Sequence, residues 1–486
     1  MKPSIRSIHA ADAKLTMAHL FVAFGALFIG ATAGLLQTLV RTGKFTLPAG
    51  IGYYQILTVH GVLLGLVLTT FFIIGFVLAT QSKTAGAYSA GERKWAWTGF
   101  ILMTVGVAIT STYILLNEAS VLYTFYAPLM AHPGFYIGLA LVVVGSWLEG
   151  FVVFRRHARW RRENPGERSP LLSYMGVVTM LLWLIATLGV AATVLLQFIP
   201  WSLGFTETID VLVSRTLFWY FGHPLVYFWL LPAYMCWYAI VPKIIGGKIF
   251  SDSLARMSFI LFLLFSFPVG FHHQLTEPGI DPFWKYLQVV LTFMVVIPSL
   301  MTAFALFATF EMRGRELGAK GLFGWLKKMP WKDVRFLAPF VGMLMFIPGG
   351  IGGIINASNQ MNQVVHNTIW VTGHFHLAVA TTVVLTFFGV TYWLVPSITG
   401  RKLTASMNKL GIVQTVFWAV GMLIMSGAMH WHGLLGGPRR SAFSEYAGNA
   451  DTTSWGAYQM AQAIGGSILF VGMVLMLVIF VYLAFL

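Results

Sequence analysis

Long stretches with few or no charged residues recur along the chain and alternate with short polar, mostly basic segments. A helix needs about 20 predominantly apolar residues to cross the roughly 30 Å hydrocarbon core of a membrane. Twelve stretches satisfy this pattern, which predicts an all-α, polytopic membrane helix bundle. We find no soluble domain or long linker between them, so residues 1–486 are predicted to form a single transmembrane domain. The twelve stretches are 16–40, 53–80, 95–117, 131–154, 171–199, 214–242, 257–273, 286–310, 336–357, 368–397, 411–434 and 460–486.

The composition supports a membrane protein and gives it an orientation. The chain is 57% hydrophobic and only 10% charged, which excludes an ordinary water-soluble domain. Of its 31 Lys and Arg residues, 25 fall in the N-terminal lead and the even-numbered loops, as the positive-inside rule expects. The formal charge of +15 is therefore assigned to membrane orientation rather than to nucleic-acid binding, and both termini are predicted to be cytoplasmic.

The tenth stretch contains the sequence Thr372-Gly373-His374-Phe375-His376. Two residues of helix separate side chains by roughly 200°, so His374 and His376 face opposite sides and cannot share one metal. A buried imidazole needs a partner, and metal or haem iron is a common one. One helix is therefore predicted to serve two separate centres.

Six histidines lie at one depth once each stretch is given a direction. At about 1.5 Å of rise per residue, stretches two, six, seven and ten all bring histidines into the outer third of the bilayer. Polar groups at membrane depth are costly and are by default functional. This convergence predicts metal or haem binding rather than structural packing. The six are His60, His223, His272, His273, His374 and His376.

Geometry divides these histidines between two kinds of haem site. Two imidazoles saturate a haem iron for electron transfer, whereas one imidazole leaves a coordination position for a substrate. His60 with one member of the His374/His376 pair is predicted to hold a six-coordinate haem. The other member would hold a five-coordinate haem on the opposite face of the helix.

Three imidazoles then remain, and they suit copper or non-haem iron with an open position. Adjacent His272 and His273 diverge by about 100° in a regular helix, so both reach one ion only if the helix ends there. His223 is followed four residues later by Tyr227, whose phenol lies on the same helix face. That phenol is predicted to supply an electron and a proton together.

These residues together resemble subunit I of the haem–copper terminal oxidases. The resemblance spans nearly the whole chain and is carried by several stretches rather than by one motif. They are Tyr53-Tyr54-Gln55 through His60-Gly61, Val121-Leu122-Tyr123-Thr124-Phe125-Tyr126, Phe221-Gly222-His223 through Tyr227, Gly270-Phe271-His272-His273-Gln274, Gly373-His374-Phe375-His376-Leu377 and Pro438-Arg439-Arg440.

The resemblance implies a role for each of the metal ligands. His60 and His376 would be the low-spin haem ligands, and His374 the high-spin haem ligand. His223, His272 and His273 would bind the copper called CuB, with Tyr227 covalently linked to His223. The low-spin haem is expected to be of B type and the high-spin haem of A or O type, although these residues do not distinguish the types.

The ba3-type, or B-type, branch is the most similar. Mitochondrial-type members have a glutamate where this chain has Leu225. Members of the ba3-type branch use a single proton path, for which Tyr234 and Tyr238 lie within about 20° of Tyr227 on one helix face. The matching path residues are Tyr227, Tyr234, Tyr238, Ser251, Ser299 and Thr302.

An outer basic group completes the resemblance. Arg439 and Arg440 suit two anionic haem propionates through charge-assisted hydrogen bonds. His366 matches a family histidine near the high-spin haem propionates. Relatives in this branch tend to have an aspartate four residues earlier, but this chain has Asn362, which cannot take up a proton in the relevant range.

The resemblance implies a cytochrome c oxidase that reduces dioxygen to water and pumps protons across a prokaryotic cytoplasmic membrane. Electron entry must come from elsewhere, because a dinuclear copper site needs cysteine pairs and Cys236 is the only cysteine. A partner subunit II carrying CuA is therefore expected, with cytochrome c or a similar protein as the donor.

Three alternatives remain open from the residues. A nitric oxide reductase of the same superfamily shares the six histidines but uses iron instead of copper, and it lacks the linked tyrosine. A cofactor-free proton-coupled transporter would use its histidines as a relay but would not explain their common depth. A bis-histidine cytochrome would leave His223, His272 and His273 without a role.

Overall fold

The computed structural model describes residues 8–267, 270–442, 452 and 454–486. Twelve principal helices run through this part of the chain, and they match the order of the twelve apolar stretches. They are α1 Ala10–Arg41, α2 Tyr53–Ala85, α3 Ala90–Leu115, α4 Pro133–Glu163, α5 Leu171–Ser202, α6 Val211–Ile244, α7 Asp252–Phe265, α8 Pro282–Glu316, α9 Val334–Ala357, α10 Ile369–Thr399, α11 Ala405–Leu434 and α12 Trp455–Phe485.

Eleven of these helices, in the part of the chain that the structure describes, are long and apolar enough to cross a membrane. The exception is α7, whose 14 residues end at Phe265, whereas the apolar stretch was expected to continue to residue 273. The chain forms a short 3₁₀ turn, Phe271–Gln274, before α8 begins. The helix thus ends before the His272-His273 pair, as shared coordination by adjacent histidines requires.

Several loops place a polar capping residue at the point where a helix begins. The Asp210 carboxylate accepts a hydrogen bond from the Val213 amide at the start of α6, and Thr368 caps α10 through the Trp370 amide. Ser89 and Glu92 form a reciprocal capping box at the start of α3. Such side chains satisfy amides that have no partner within the helix and so fix where each helix begins.

Glycines allow α3 and α4 to pack at close range. A Cβ on Gly99 would lie 2.6 Å from the Gly145 carbonyl oxygen, and a Cβ on Gly145 would lie 2.5 Å from the Gly99 carbonyl oxygen. Gly106 and Gly138 approach each other in the same way about two turns further along α3. Small residues at such contacts bring membrane helices together by van der Waals packing.

Three interior helices carry most of the candidate ligands. The buried share of the most apolar 18-residue segment is 83% in α2, 89% in α6 and 78% in α10. Helix α2 widens into a π segment at Val62–Leu68, just after His60. Helix α10 does the same at His376–Val383. Such π segments frequently occur at functional sites.

Candidate metal and haem centres

His60 and His376 face each other between α2 and α10. Their ring centroids are 6.0 Å apart and the rings are nearly parallel, at 9°. His60 Nδ1 lies 2.9 Å from the Gly30 carbonyl oxygen, and His376 Nδ1 lies 2.8 Å from the Thr372 carbonyl oxygen. A carbonyl can only accept, so both Nδ1 atoms carry the proton and both Nε2 atoms keep a lone pair for a metal.

His374 faces different neighbours from His376, as the two-residue spacing predicts. A Cβ on Gly352 of α9 would lie only 2.5 Å from His374 Nδ1, so the imidazole occupies space that this glycine leaves open. The Trp370 ring stacks at 6.0 Å on another side. His374 is also close enough to His272 and His273 for charges on the three rings to interact.

The other three histidines form a compact cluster. The ligand atoms of His223, His272 and His273 all lie within 4.8 Å of one another. Thr292 Oγ1 lies 3.1 Å from His272 Nδ1, and Trp219 stacks on His273 with ring centroids 3.8 Å apart. Helix α6 supplies His223, the 3₁₀ turn supplies the adjacent pair, and α8 supplies Thr292.

The nitrogen atoms of this cluster fit a metal ion. His223 Nδ1 and His273 Nε2 are both buried without a hydrogen-bond partner among the described residues. Buried polar nitrogens are costly when unpaired. His272 Nδ1 is occupied by Thr292, which leaves its Nε2 for the same ion. Three imidazoles with an open position match the donor set that copper or non-haem iron prefers.

Tyr227 packs against this cluster from one turn along α6. Its ring lies edge-on to the His223 ring, with centroids 5.1 Å apart at 89°. The side chain is buried, with 8% of its surface exposed. Leu225, between the two residues, is also buried and brings no acidic group to the centre.

The proposed path residues separate into two groups. The Tyr238 hydroxyl donates to Thr302 Oγ1 at 2.8 Å and lies 3.3 Å from Ser258 Oγ. The Tyr234 hydroxyl lies near Ser299 without a well-formed hydrogen bond in the described structure. The Phe262 ring contacts the rings of both Tyr227 and Tyr234. The described contacts therefore do not link the hydroxyl groups of these two tyrosines directly.

Ser251 has a different structural position from the other path residues. Its hydroxyl accepts a hydrogen bond from the Leu254 amide at 3.1 Å and thereby caps α7. Ser258 is an additional hydroxyl residue beyond the predicted set. It lies between Ser251 and the Tyr238 hydroxyl along the predicted proton path. A serine seven residues after Ser251 shares its helix face, and this spacing could have revealed it.

The outer basic group includes Arg215 in addition to the predicted Arg439 and Arg440. Arg215 and Arg440 both approach the Tyr126 ring, with guanidinium carbons 4.7 Å and 5.2 Å from its centroid. Arg440 adopts a left-handed backbone, with φ of 64°, and Arg439 lies partly buried beside it. Burial of the guanidinium and the charge of Arg440 lower the pKa of Arg439 to about 10. One guanidinium nitrogen of each arginine, Nε of Arg215, Nε of Arg439 and Nη2 of Arg440, lacks a partner among the described residues, which favours an anionic ligand.

The sequence did not assign Arg215 or Tyr126 to this basic group, because their roles depend on contacts between distant parts of the chain. Arg215 also pairs with Glu277 at 3.2 Å. Its position in the sequence, eight residues before His223, was the available signal.

His366 lies close to the same arginines. Burial, followed by the charges of Arg439, Arg215 and Arg440, lowers the pKa of His366 to about 4. Asn362 is fully buried and donates from Nδ2 to the Asn356 carbonyl oxygen at 2.7 Å. The amide is thus held by α9, and its carbonyl oxygen has no partner among the described residues.

Comparison with known proteins gives similarities over most of the chain. A model of the family described as "Cytochrome C and Quinol oxidase polypeptide I" matches residues 14–468. A cytochrome c oxidase subunit 1 of Thermus thermophilus is 45% identical over 443 residues, covering 89% of this chain and 78% of that protein. Cytochrome c oxidase subunit 1 of a Bacillus species is 24% identical, covering 87% of this chain and 68% of that protein.

A solved structure is similar over nearly all of the chain. It is a cryo-EM structure of a heme-copper terminal oxidase dimer, with a TM-score of 0.92 and 37% sequence identity. The match covers 99% of this chain and 85% of that one. The similarity therefore includes the four segments that carry the six histidines.

Proposed function

Because the chain belongs to the haem–copper terminal oxidases, as a ba3-type subunit I, we propose that it reduces dioxygen to water at the centre formed around His223, His272 and His273. It is the catalytic subunit of a terminal respiratory oxidase. The observation that carries the proposal is the placement of three convergent imidazoles and Tyr227 beside His374.

The family implies haem groups and copper, and the side chains fit both. His60 and His376 would hold the low-spin haem, since their ring centroids lie 6.0 Å apart and both leave Nε2 free for a metal. His374 would hold the high-spin haem, and the three-histidine cluster would hold copper. These groups, when bound, would supply the redox chemistry and the binding position for dioxygen. We assign B type to the low-spin haem and A or O type to the high-spin haem, following the resemblance.

Tyr227 would donate a proton and an electron during the reduction of dioxygen. Its phenol is buried and lies one turn from His223, so its O–H is within reach of the same centre. The reduction of dioxygen to water needs four electrons. If Tyr227 supplies the fourth, partly reduced oxygen is not released. The resemblance also implies a covalent bond between Tyr227 and His223, which the edge-on contact of the rings supports.

Protons would reach the centre from the cytoplasmic side along α6 and α8. Tyr238 and Thr302 form the hydrogen-bonded lower part, with Ser258 as an additional member. Tyr234 and Ser299 would continue the path, and water would join Tyr234 to Tyr227 past the Phe262 ring. Ser251 would act at the entrance, where it also caps α7.

Arg439 and Arg440 would bind the haem propionates at the outer end, and Arg215 would add a third positive charge. Guanidinium groups with buried, unpaired N–H donors favour carboxylate ligands. His366 would contact the same propionate region. With Asn362 in place of an acidic residue, proton loading above the haem would depend on His366 and the propionates themselves.

The chain is an integral membrane protein that works with other subunits. We propose that it forms one catalytic domain in a prokaryotic cytoplasmic membrane, with both termini in the cytoplasm. A subunit II carrying CuA would accept electrons from cytochrome c or a similar donor and deliver them to this chain. Proton pumping would then store energy against the membrane potential.

Nitric oxide reduction is less well supported by the residues at the centre. A reductase of that type would place acidic residues near the metal, whereas the buried residue after Pro224 is Leu225. The phenol of Tyr227 in contact with His223 favours oxygen reduction. A cofactor-free transporter would not need parallel imidazoles with free Nε2 atoms.

The test is to record reduced-minus-oxidised and carbon monoxide difference spectra of the purified protein and to count iron and copper in the same sample. We expect two haems, one of which binds carbon monoxide, and one copper in this chain. Two haems with a third iron and no copper would instead indicate nitric oxide reductase. Absence of haem from protein purified intact would contradict the proposal.

A further inference from the structure

A second buried titratable pair lies away from the metal centres, between α1 and α4. His19 Nε2 is 3.0 Å from one carboxylate oxygen of Glu149 and 3.1 Å from the other. Both side chains are completely buried. His19 Nδ1 lies 2.9 Å from the Leu15 carbonyl oxygen, so the Nδ1 proton is committed to that acceptor.

This geometry requires one proton between the two side chains. With Nδ1 protonated, a neutral His19 has a lone pair on Nε2, and an ionised Glu149 has lone pairs on both oxygens. Such atoms repel one another at 3.0 Å in a buried site unless a proton lies between them. Apart from its approach to His19 Nε2, Glu149 Oε1 has no hydrogen-bond partner in the part of the chain that the structure describes. A carboxylate with so few donors favours the neutral acid, which places the proton on Glu149.

Two neighbouring helices leave space for the pair by means of glycines. A Cβ on Gly75 of α2 would lie 2.8 Å from His19 Cβ, and a Cβ on Gly99 of α3 would lie 2.7 Å from Glu149 Cγ. The remaining walls near the imidazole include the aromatic rings of Phe71 and Phe100, with centroids 5.7 Å and 4.9 Å from that of His19. Four helices thus form an apolar pocket around one acid and one base.

Buried polar groups also lie beyond this pocket, toward the end of the bundle that is predicted to face the cytoplasm. Asp12 lies seven residues before His19 on α1, and Arg156 lies seven residues after Glu149 on α4. Seven residues are about two helical turns, so Asp12 shares a face of α1 with His19, and Arg156 shares a face of α4 with Glu149, each about 10 Å away along the helix. Both are buried, with 3% and 4% exposed. Asp12 accepts from the Ser82 hydroxyl at 2.6 Å.

The charged groups around this entrance come from each surrounding element. Arg93 of α3 lies 3.7 Å from Asp12, and Glu92 pairs with Arg159 of α4 at 2.8 Å. The buried Tyr88 is close enough to Asp12, Glu92, Arg156 and Glu149 for their charges to interact. From α2, the residues in contact with the His19 side chain are Phe71 and Gly75, and neither can carry a charge.

We propose that His19 and Glu149 form a proton-holding site that exchanges one proton with the cytoplasmic side through the Asp12 cluster. The O–H bond of Glu149 breaks as the proton passes to Nε2 of His19 or back to water, and no electron moves. Water at the cytoplasmic end supplies and receives the proton. The site is separate from the hydroxyl path of α6 and α8.

The position of the site connects it to the oxidase reaction. Phe71, which contacts His19, lies eleven residues after His60 on α2, or about 16 Å further toward the cytoplasmic end. A proton held there would help to compensate charge that arrives at the centre above it. This use during turnover rests on the proposed function, whereas the ability to hold and exchange a proton does not.

The test is infrared spectroscopy of the purified protein during transfer from H₂O to D₂O. We expect a carbonyl band of a protonated carboxyl group that shifts in D₂O and is lost in Glu149→Gln. The matched control is Glu316→Gln, because that side chain is 55% exposed and should leave the band unchanged. In His19→Phe, which keeps a ring among Phe71 and Phe100, the band should shift because the hydrogen bond to Nε2 is lost.

A second variant tests the route without altering the pair. In Asp12→Asn we expect the same band but slower exchange in D₂O. A wild-type protein without a Glu149-dependent carboxyl band would overturn the inference, even if it reduces oxygen normally. Unchanged exchange in Asp12→Asn would overturn the proposed route, and a Glu149→Gln variant that loses only stability would indicate a structural contact between α1 and α4.

Discussion

Glycines, rather than polar partners, form much of the space around the candidate ligands. A Cβ on Gly34 would lie 2.6 Å from His60 Nδ1, and a Cβ on Gly270 would lie 2.5 Å from His223 Cβ. Real Cβ atoms do not approach other atoms this closely, so either the imidazole or the helix would have to move. The imidazoles of His60 and His223 are therefore positioned in part by the absence of a neighbouring side chain.

Gly352 and Gly353 provide a matched test of this positioning. A Cβ on Gly352 would lie 2.5 Å from His374 Nδ1, whereas a Cβ on Gly353 would lie at an ordinary 3.7 Å from His374 Cε1. We expect Gly352→Ala to displace His374, at a cost of about 1–3 kcal/mol of overpacking, and to reduce the haem that binds carbon monoxide. The control Gly353→Ala should retain that haem. Equal carbon monoxide difference spectra in the two variants would contradict this account of His374.

Tyr227→Phe tests the phenol without changing the ring. Removing the hydroxyl should lower the rate of oxygen consumption by about 10²-fold or more, as expected when a positioned proton donor is lost. Copper and haem contents should stay near those of the wild type, because His223 remains in place. Tyr392→Phe is the control, since this buried phenol instead donates to Gln414 at 3.0 Å. Oxygen consumption close to the wild-type rate in Tyr227→Phe would exclude the proposed role.

At the scale of elements, the end of α7 and the turn that follows it bring His272 and His273 to one centre. The 3₁₀ turn Phe271–Gln274 orients the adjacent rings at 41° with centroids 4.0 Å apart. Helix α8 then fixes the tautomer of His272 through Thr292. The metal centre thus depends on three separate elements and not on one helix.

Thr292 allows the contribution of α8 to be measured. Thr292→Val keeps the shape of the side chain but removes its hydroxyl, so His272 loses the partner of Nδ1. Loss of such a supporting contact typically weakens metal binding by about 10–100-fold. We expect Thr292→Val to lower copper retention during dialysis against a chelator, while Thr292→Ser retains copper. If both variants retain copper equally, the hydroxyl does not position His272.

The sequence predicts the elements well where a single physical rule decides them. The length of the predominantly apolar stretches predicts the membrane helices, and the helix period predicts that His374 and His376 diverge. The length of α7 was wrong by several residues, because apolar composition does not show where a helix ends. The Arg215–Tyr126–Arg440 stack and the His19–Glu149 pair join residues far apart in sequence. No local spacing indicates such contacts, so they require the packed helices.

At the scale of the whole molecule, the distribution of charge and the depth of the six histidines define an inner and an outer side. The arginines next to Tyr126 lie at one end, and the Asp12 cluster lies at the other. The proposed uptake of protons depends on this polarity, because protons would enter from the basic side, which the sequence predicts to be cytoplasmic. The orientation is a prediction from the sequence, and the single buried cysteine makes it directly testable.

Single-cysteine labelling can establish the orientation. Cys236 is 1% exposed, so wild-type protein should give little background with a maleimide that cannot cross the membrane. Glu207 and Glu167 are exposed residues in the loops at opposite ends of α5, which makes them matched positions. With both termini in the cytoplasm, Glu207→Cys should react in intact cells or spheroplasts, whereas Glu167→Cys should react only after the membrane is opened. The reverse labelling pattern would show that the bundle has the opposite orientation. The proposed proton path and the His19–Glu149 site would then open to the outer side of the membrane, which would contradict proton uptake from the cytoplasm.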